Sequence, residues 1–228
     1  MTSSQIRPTR RERERELVDA TKALFDERGL QDAPIEEIAK AVGINKALIY
    51  RHFSSKEELF VLTMTRYLDE LGARLGNVQD EELDPLAQLR VSSEAYADFC
   101  LEYPAFLDCA LSLMRRRARD LYESVSDAVW FRLGLGMAGC LGILSRNLAA
   151  GVRDGVFAID DVDFTANHLY TQLLGTMHLA RVGVGVREAA PGIPETFRIA
   201  PEQVRAACVE DALAIATRRG AAASETGE

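Results

Sequence analysis

Histidine and cysteine are scarce in this chain. Only His52, His168 and His178 and four cysteines, Cys100, Cys109, Cys140 and Cys208, occur in 228 residues, and no cysteine stands in a CxxC pair. A metal centre needs several such ligands at fixed spacing, so no metal is expected. Cys100 and Cys109 lie nine residues apart and leave a redox or metal sensor open, but reduced thiols buried among apolar neighbours are the expected state. Also missing are an HExxH pair, a phosphate-cradling glycine loop and any Ser/His/Asp arrangement. An enzyme is therefore not expected, and neither are catalytic residues or a cofactor.

Uninterrupted apolar runs are lacking too. The most hydrophobic stretch, Phe131 to Leu148, is broken by Arg132, Gly134, Gly136, Gly139, Gly142 and Arg146. It falls short of the roughly 20 apolar residues of a membrane span. Met1 to Glu16 has no apolar core of the kind a secretory signal needs. The expectation is a soluble, cytoplasmic protein with no membrane partner. Neither an internal repeat nor a strand with period-two alternation is visible, so an all-α fold is expected.

What is present is a sizeable core and an uneven distribution of charge. Apolar residues make up 47% of the chain, enough for one larger domain or two packed units. Net charge is −8, which argues against indiscriminate coating of nucleic acid. Residues 1–56, however, hold 11 Lys/Arg against 9 Asp/Glu, while residues 57–228 hold 16 against 26. A basic head on an acidic body keeps non-specific affinity for polyanions low and orients their approach.

The head is organised around Ile35 to Phe60. Ile35, Ile38, Ala39 and Val42 recur at i, i+3, i+4 and i+7, which gives one buried stripe on a short helix ending at Gly43. A second helix opens at Asn45, a good capping residue. Its Ile49 and Phe53, with Ile44 before them, can lie back on the first while Lys46, Ala47, Tyr50 and Arg51 face away. An outward face of Asn45, Lys46, Tyr50, Arg51 and His52 suits bases and phosphates. A plain helical hairpin would have the same punctuation. Ser54-Ser55-Lys56-Glu57 reads as a capping box whose helix N-terminus and Lys56 offer a phosphate site. Arg7, Arg10, Arg11 and Arg13 form a basic arm, and Thr9 with Glu12 a second capping box.

From Arg13 to Leu62 the chain resembles the DNA-binding domain of the tetracycline-repressor (TetR) family. The resemblance rests on Phe25-Asp26-Glu27-Arg28-Gly29-Leu30, Ile38-Ala39-Lys40-Ala41-Val42-Gly43-Ile44, Leu48-Ile49-Tyr50-Arg51-His52-Phe53 and Ser55-Lys56-Glu57-Glu58-Leu59, in that order. It implies an all-α protein of about nine helices. A three-helix helix-turn-helix domain comes first, followed by a helical bundle for ligand binding and dimerisation. It also implies contact with double-stranded DNA through the second short helix. Lys46 is the first choice for a base edge. Asn45 either pairs with adenine or caps the helix, Ala47 permits close approach, and Leu48 either meets a thymine methyl or packs inward. Tyr50 and His52 resemble phosphate-contacting positions, with Lys56, Arg10 and Arg11 beside them. The sequence departs from the family at Asp32-Ala33-Pro34-Ile35-Glu36, where an alanine replaces the usual Ser/Thr cap and an acid, Glu36, stands near the expected DNA backbone.

The expected organisation is a disordered arm at 1–8, the DNA-binding domain at 9–53, a connecting helix at 54–76, an effector-binding and dimerisation domain at 77–219, and a disordered tail at 220–228. Within the fourth, helices are expected over Pro85–Glu102, from Pro104 to Arg117, from about Asp120 to Gly151, from Asp163 to Gly183 and over Pro201–Arg219, with a Gly/Pro-rich loop before the last. The resemblance implies a homodimer through the last two helices, using Leu169, Leu173, Thr176, Met177, Ala180, Val204, Ala207, Cys208, Ala212, Leu213 and Ile215. Internal core is the competing reading for each. It implies also a cavity lined by Phe99, Cys100, Tyr103, Phe106, Met114, Trp130, Met137, Cys140, His168 and Gln172, which suits a small apolar or aromatic effector. The reading is a repressor released from a palindromic operator by that effector. An activator, or a helical protein-interaction module without specific DNA binding, stands as the alternative.

Overall fold

The computed structural model describes residues 9–28, 34–115 and 123–218. The arm at 1–8, Gly29 as the stop of the first helix, the Ala33 cap, Arg117, the helix start at Asp120 and the tail lie outside the described residues. Among these residues the chain forms nine helices and one hairpin. The helices are α1 (Arg10–Arg28), α2 (Ile35–Ala41), α3 (Lys46–His52), α4 (Lys56–Asn77), α5 (Pro85–Glu102), α6 (Pro104–Arg115), α7 (Asp127–Arg153), α8 (Val162–Val182) and α9 (Pro201–Thr217). Strands β1 (Val184–Ala190) and β2 (Ile193–Arg198) lie between α8 and α9. The fold is all-α apart from this hairpin.

The chain divides into two compact units, Met1–Asp69 with Asp108–Gly136 and Glu70–Leu107 with Met137–Glu228. In the first, α1, α2 and α3 pack on one another around Leu17, Ile38, Ile49, Phe53 and Leu59, each 2% exposed or less. Tyr67, fully buried in α4, donates its hydroxyl to Asp26 of α1 at 2.6 Å. In the second unit α9 packs on α5 and α8. Leu89, Leu148, Leu169, Leu174, Met177, Cys208 and Ala212 are fully buried there. A polar knot runs through this core: the hydroxyl of Ser92 accepts from Asn147 at 3.1 Å and from Gln88 at 3.1 Å.

Local chemistry sets the helix ends. Thr9 and Glu12 form the expected reciprocal box, with the Thr9 N–H on Glu12 Oε2 at 2.6 Å and the Glu12 N–H on Thr9 Oγ1 at 3.3 Å. Asp84 caps α5 from both Leu86 and Ala87 N–H groups, with Pro85 in the first turn. Asp161 caps α8, which ends at Gly183. At α4 the box is one residue later than expected: Ser55 Oγ, not that of Ser54, accepts from the Glu58 N–H at 2.9 Å. The pairs Ser54-Ser55 and Glu57-Glu58 allow either register, and the buried side of the helix selects Glu58. At α2 the cap is Pro34 itself, extended at ψ 148°, with Ile35 as the first helical residue and no side-chain cap.

Three expectations need correction. The Gly/Pro-rich loop is an antiparallel hairpin, pairing Val184 with Arg198 and Val186 with Thr196 and turning at Pro191-Gly192, where Gly192 has φ +78°. That value is the left-handed one a proline-glycine turn requires of its second residue. Asp127–Arg153 is by length and composition apolar enough to cross a membrane, with hydropathy 1.5 over its window, because the helix extends beyond Phe131–Leu148 at both ends. Only 11% of that window is buried. Finally, Leu169, Leu173, Met177, Val204, Cys208, Ala212 and Leu213 are buried within the chain, so the inward reading applies to them. Thr176, Ala180, Ala207 and Ile215 retain exposed surface.

Candidate nucleic-acid interface

Helix α3 is seven residues long and could not persist alone in water. It is held from below by Ile49, 1% exposed, and from its C-cap by Phe53, 2% exposed, against α1 and α2. Its approach is set by Gly43 at φ +69°, a conformation that a β-carbon penalises, which lets the chain reverse within three residues. At the start of α3 the Asn45 carboxamide accepts from the Leu48 N–H at 2.9 Å. Of its two expected roles, the structure uses the cap.

With the inner face fixed, helical geometry dictates the outer one. Lys46, Ala47, Tyr50 and Arg51 are exposed, Tyr50 to 45%, and Lys56 lies exposed one turn beyond. Leu48 is half-buried at the edge. His52 is different: its Nδ1 is buried without a hydrogen bond, 3.9 Å from Glu14 Oε1 of α1. The Nδ1 side of the ring thus faces α1, while the residue as a whole is half-buried. Arg10 pairs with the same Glu14 at 2.9 Å. Arg11 lines a cleft of about 430 Å³ with Arg15, Arg66, Arg132, Asp19 and Asp69.

A carboxylate of the chain itself lies at the N-terminus of α4. The Glu58 carboxylate, 7% exposed, accepts from the Ser54 N–H at 2.5 Å and hydroxyl at 2.7 Å, and from the Ser126 hydroxyl at 2.5 Å. Burial pushes its pKa up, but the hydrogen bonds from Ser126 and Ser54 outweigh it, and the net shift is downward. On the outer face, Lys46 Nζ donates to Glu36 Oε1 at 2.6 Å. This bond lowers the pKa of Glu36 and raises that of Lys46. The sequence showed Glu36 as an acid near the expected backbone; the lysine it faces was not visible.

The residues expected around an effector are divided between the two units. Phe99, Cys100 and Phe106 are buried in the second unit, with the Phe99 ring 4.9 Å from Tyr103 and 5.2 Å from Phe106. Met137 and Cys140 are half-buried in the same unit, whereas Met114, 47% exposed, and Trp130 belong to the first. His168 and Gln172 are exposed one turn apart on the outside of α8. A residue that sequence reasoning missed stands nearby: the hydroxyl of Tyr96 is buried with no hydrogen bond of ordinary geometry, beside the thiol of Cys100. Aromatic periodicity alone carries no signal that a hydroxyl is orphaned. Burial raises the Cys100 and Cys109 thiols well above the ordinary range and Cys208 to about 12.

Residues 17–62, which hold α2, α3 and most of α1, match the model for bacterial regulatory proteins of the tetR family. That stretch is a domain of the family. Among TetR-family relatives, the HTH-type transcriptional activator FasR of Mycolicibacterium smegmatis is 36% identical over 90 residues, 40% of this chain and 41% of that one. The HTH-type transcriptional repressor KstR2 of Rhodococcus jostii is 29% identical over 161 residues, 69% and 74% of the two chains. The match to FasR thus spans about two fifths of that relative's length. The structure of the ketosteroid transcriptional regulator KstR2 of Mycobacterium tuberculosis superposes with a TM-score of 0.58 at 22% identity, covering 96% of this chain and 100% of that one. At that identity the likeness is one of fold.

Proposed function

We propose that the chain is a sequence-specific DNA-binding transcriptional regulator, a cytoplasmic homodimer that represses from a palindromic operator and performs no catalysis. The observation that carries this reading is the outward face of α3, where Lys46, Ala47, Tyr50 and Arg51 stand free of the core while Ile49 and Phe53 fix the helix beneath them. An α-helix about 10–12 Å across fits a major groove about 12 Å wide. Lys46 and Ala47, with Leu48 at the edge, meet base edges; Tyr50, Arg51, Lys56 and Arg11 meet phosphates. One such helix reads a few base pairs, so two heads, about 34–36 Å apart, are needed for an operator.

The last two helices provide the pairing surface. Phe164 at 68%, Leu179 at 47% and Val182 at 49% exposed on α8 leave apolar area open, with Ala207 and Ile215 on α9. The effector is a small, mostly apolar molecule held in the second unit near Phe99, Tyr103 and Cys140. A hydrogen-bond acceptor on it would satisfy Tyr96, since a buried unpaired hydroxyl is costly. Occupancy is transmitted along α4, whose Lys56–Asp69 segment belongs to one unit and Glu70–Asn77 to the other. A coupling of ~1–3 kcal/mol gives roughly a 5–150-fold loss of DNA affinity.

A gel-shift titration against the region upstream of the protein's own gene tests the proposal. Binding should be specific and should weaken when either half-site of the palindrome is changed. Specific binding indifferent to both half-sites would overturn the operator reading.

A further inference from the structure

Helix α2 begins with two acids, Glu36 and Glu37, at the end where the helix dipole favours negative charge. Each is tied to a cation, Glu37 to Arg28 and Glu36 to Lys46 at 2.6 Å. Lys46 is the first residue of α3, so it places a cation at the positive pole of its own helix. Its carboxylate partner is supplied by a different helix, ten residues earlier. Both side chains are more than half exposed, so the pair contributes little to folding. Lys56, further round the same surface, also acts on Glu36. Here an acid stands on the face that the DNA-binding reading turns toward a polyanion.

We infer that Glu36 is a specificity-determining residue that holds the Lys46 ammonium away from phosphates and presents it to bases. This rests on the DNA-binding reading. An ammonium has three donors. One stays on Glu36 while the others reach guanine O6 and N7, a contact that the correct sequence offers and a bare backbone does not. On random DNA the lysine would have to leave its carboxylate for a phosphate, and the carboxylate itself is repelled. Glu36 thus penalises non-specific binding more than operator binding, a use of repulsion to widen the gap between right and wrong partners.

The test uses the full chain as wild type, Glu36→Gln, Lys46→Gln and the double variant, each titrated on an operator duplex and on a scrambled duplex from about 50 to about 200 mM salt. One more phosphate contact per head steepens the log–log salt dependence by about 0.9 and, at about 0.1 M salt, tightens scrambled-DNA binding by roughly eightfold per head. E36Q should show both on scrambled DNA, with a smaller gain on the operator, and in the K46Q background most of the gain should vanish, leaving only the relief of the carboxylate's own repulsion. Unchanged affinity of E36Q for scrambled DNA, or a gain of the same size without Lys46, overturns the inference. A wild-type chain with no preference between the duplexes removes the DNA-binding reading instead. Both positions are exposed, and matching thermal melts of the variants would show that the fold is intact.

Discussion

Glu58 is a buried carboxylate of the first unit, and replacing it with glutamine isolates its charge. The side chain keeps its shape, but three hydrogen bonds to a carboxylate, from the Ser54 N–H and hydroxyl and from the Ser126 hydroxyl, become neutral ones. A bond to a charged group contributes about 1.5–3 kcal/mol net and a neutral one about 0.5–1.5, so the three lose on the order of 3 kcal/mol together. Removing a charge that burial disfavours returns part of this, and a net destabilisation of about 1–2 kcal/mol remains. Ser54 and Ser126 are themselves exposed and can turn to water, which keeps the figure from growing. Because the folded pKa lies below the ordinary carboxylate value of 4.5, the stabilisation is complete above that pH and disappears as pH falls through the folded value. Urea unfolding of wild type and E58Q, followed by circular dichroism across a pH series, reads the difference directly. It should be constant at neutral pH and shrink below about pH 4.5. A difference that is flat or widens into acid would refute the assignment of the effect to the carboxylate's charge.

Truncating Ile49 to alanine beneath the recognition helix should cost about 2–4 kcal/mol and weaken operator binding without any change to the outer face; chemical denaturation and gel shift measure the two. A β-carbon at Gly151 would run into the Phe157 ring, so G151A should destabilise by about 1–3 kcal/mol or more. The penalty should be smaller in a Phe157→Ala background, giving a non-additive double-mutant cycle. With thiol reagent at mildly alkaline pH, half-buried Cys140 should be modified first. Cys100, Cys109 and Cys208, whose thiols burial holds protonated, should react only on unfolding, as mass spectrometry of labelled peptides would show.

The head was legible because local rules and packing agree there. Asn45 is both a good cap and the cap used, and Ile49 and Phe53 lie at a spacing that only an inward face satisfies. Where two residues obey the same rule, sequence cannot choose between them, and the box at Ser55 and Glu58 is such a case. The apolar stripes of α8 and α9 were visible, but a stripe looks the same whether it meets its own chain or another copy; Leu169, Met177 and Cys208 are buried within the chain. Pairings distant in sequence, such as Ser126 with Glu58, left no local trace. The hairpin was hidden because Pro194 lies within one strand and nearly every residue of both strands is exposed, which erases the alternation that marks a half-buried sheet.

That same exposure makes the tip of the hairpin a convenient handle. The turn at Pro191-Gly192 is joined to the rest of the molecule only through two strands that bury nothing of consequence, so a short epitope or a fluorophore inserted there should leave α8 and α9 seated. A donor and an acceptor placed on separate copies at this point would report, as an optical signal, whether two copies of the chain come together.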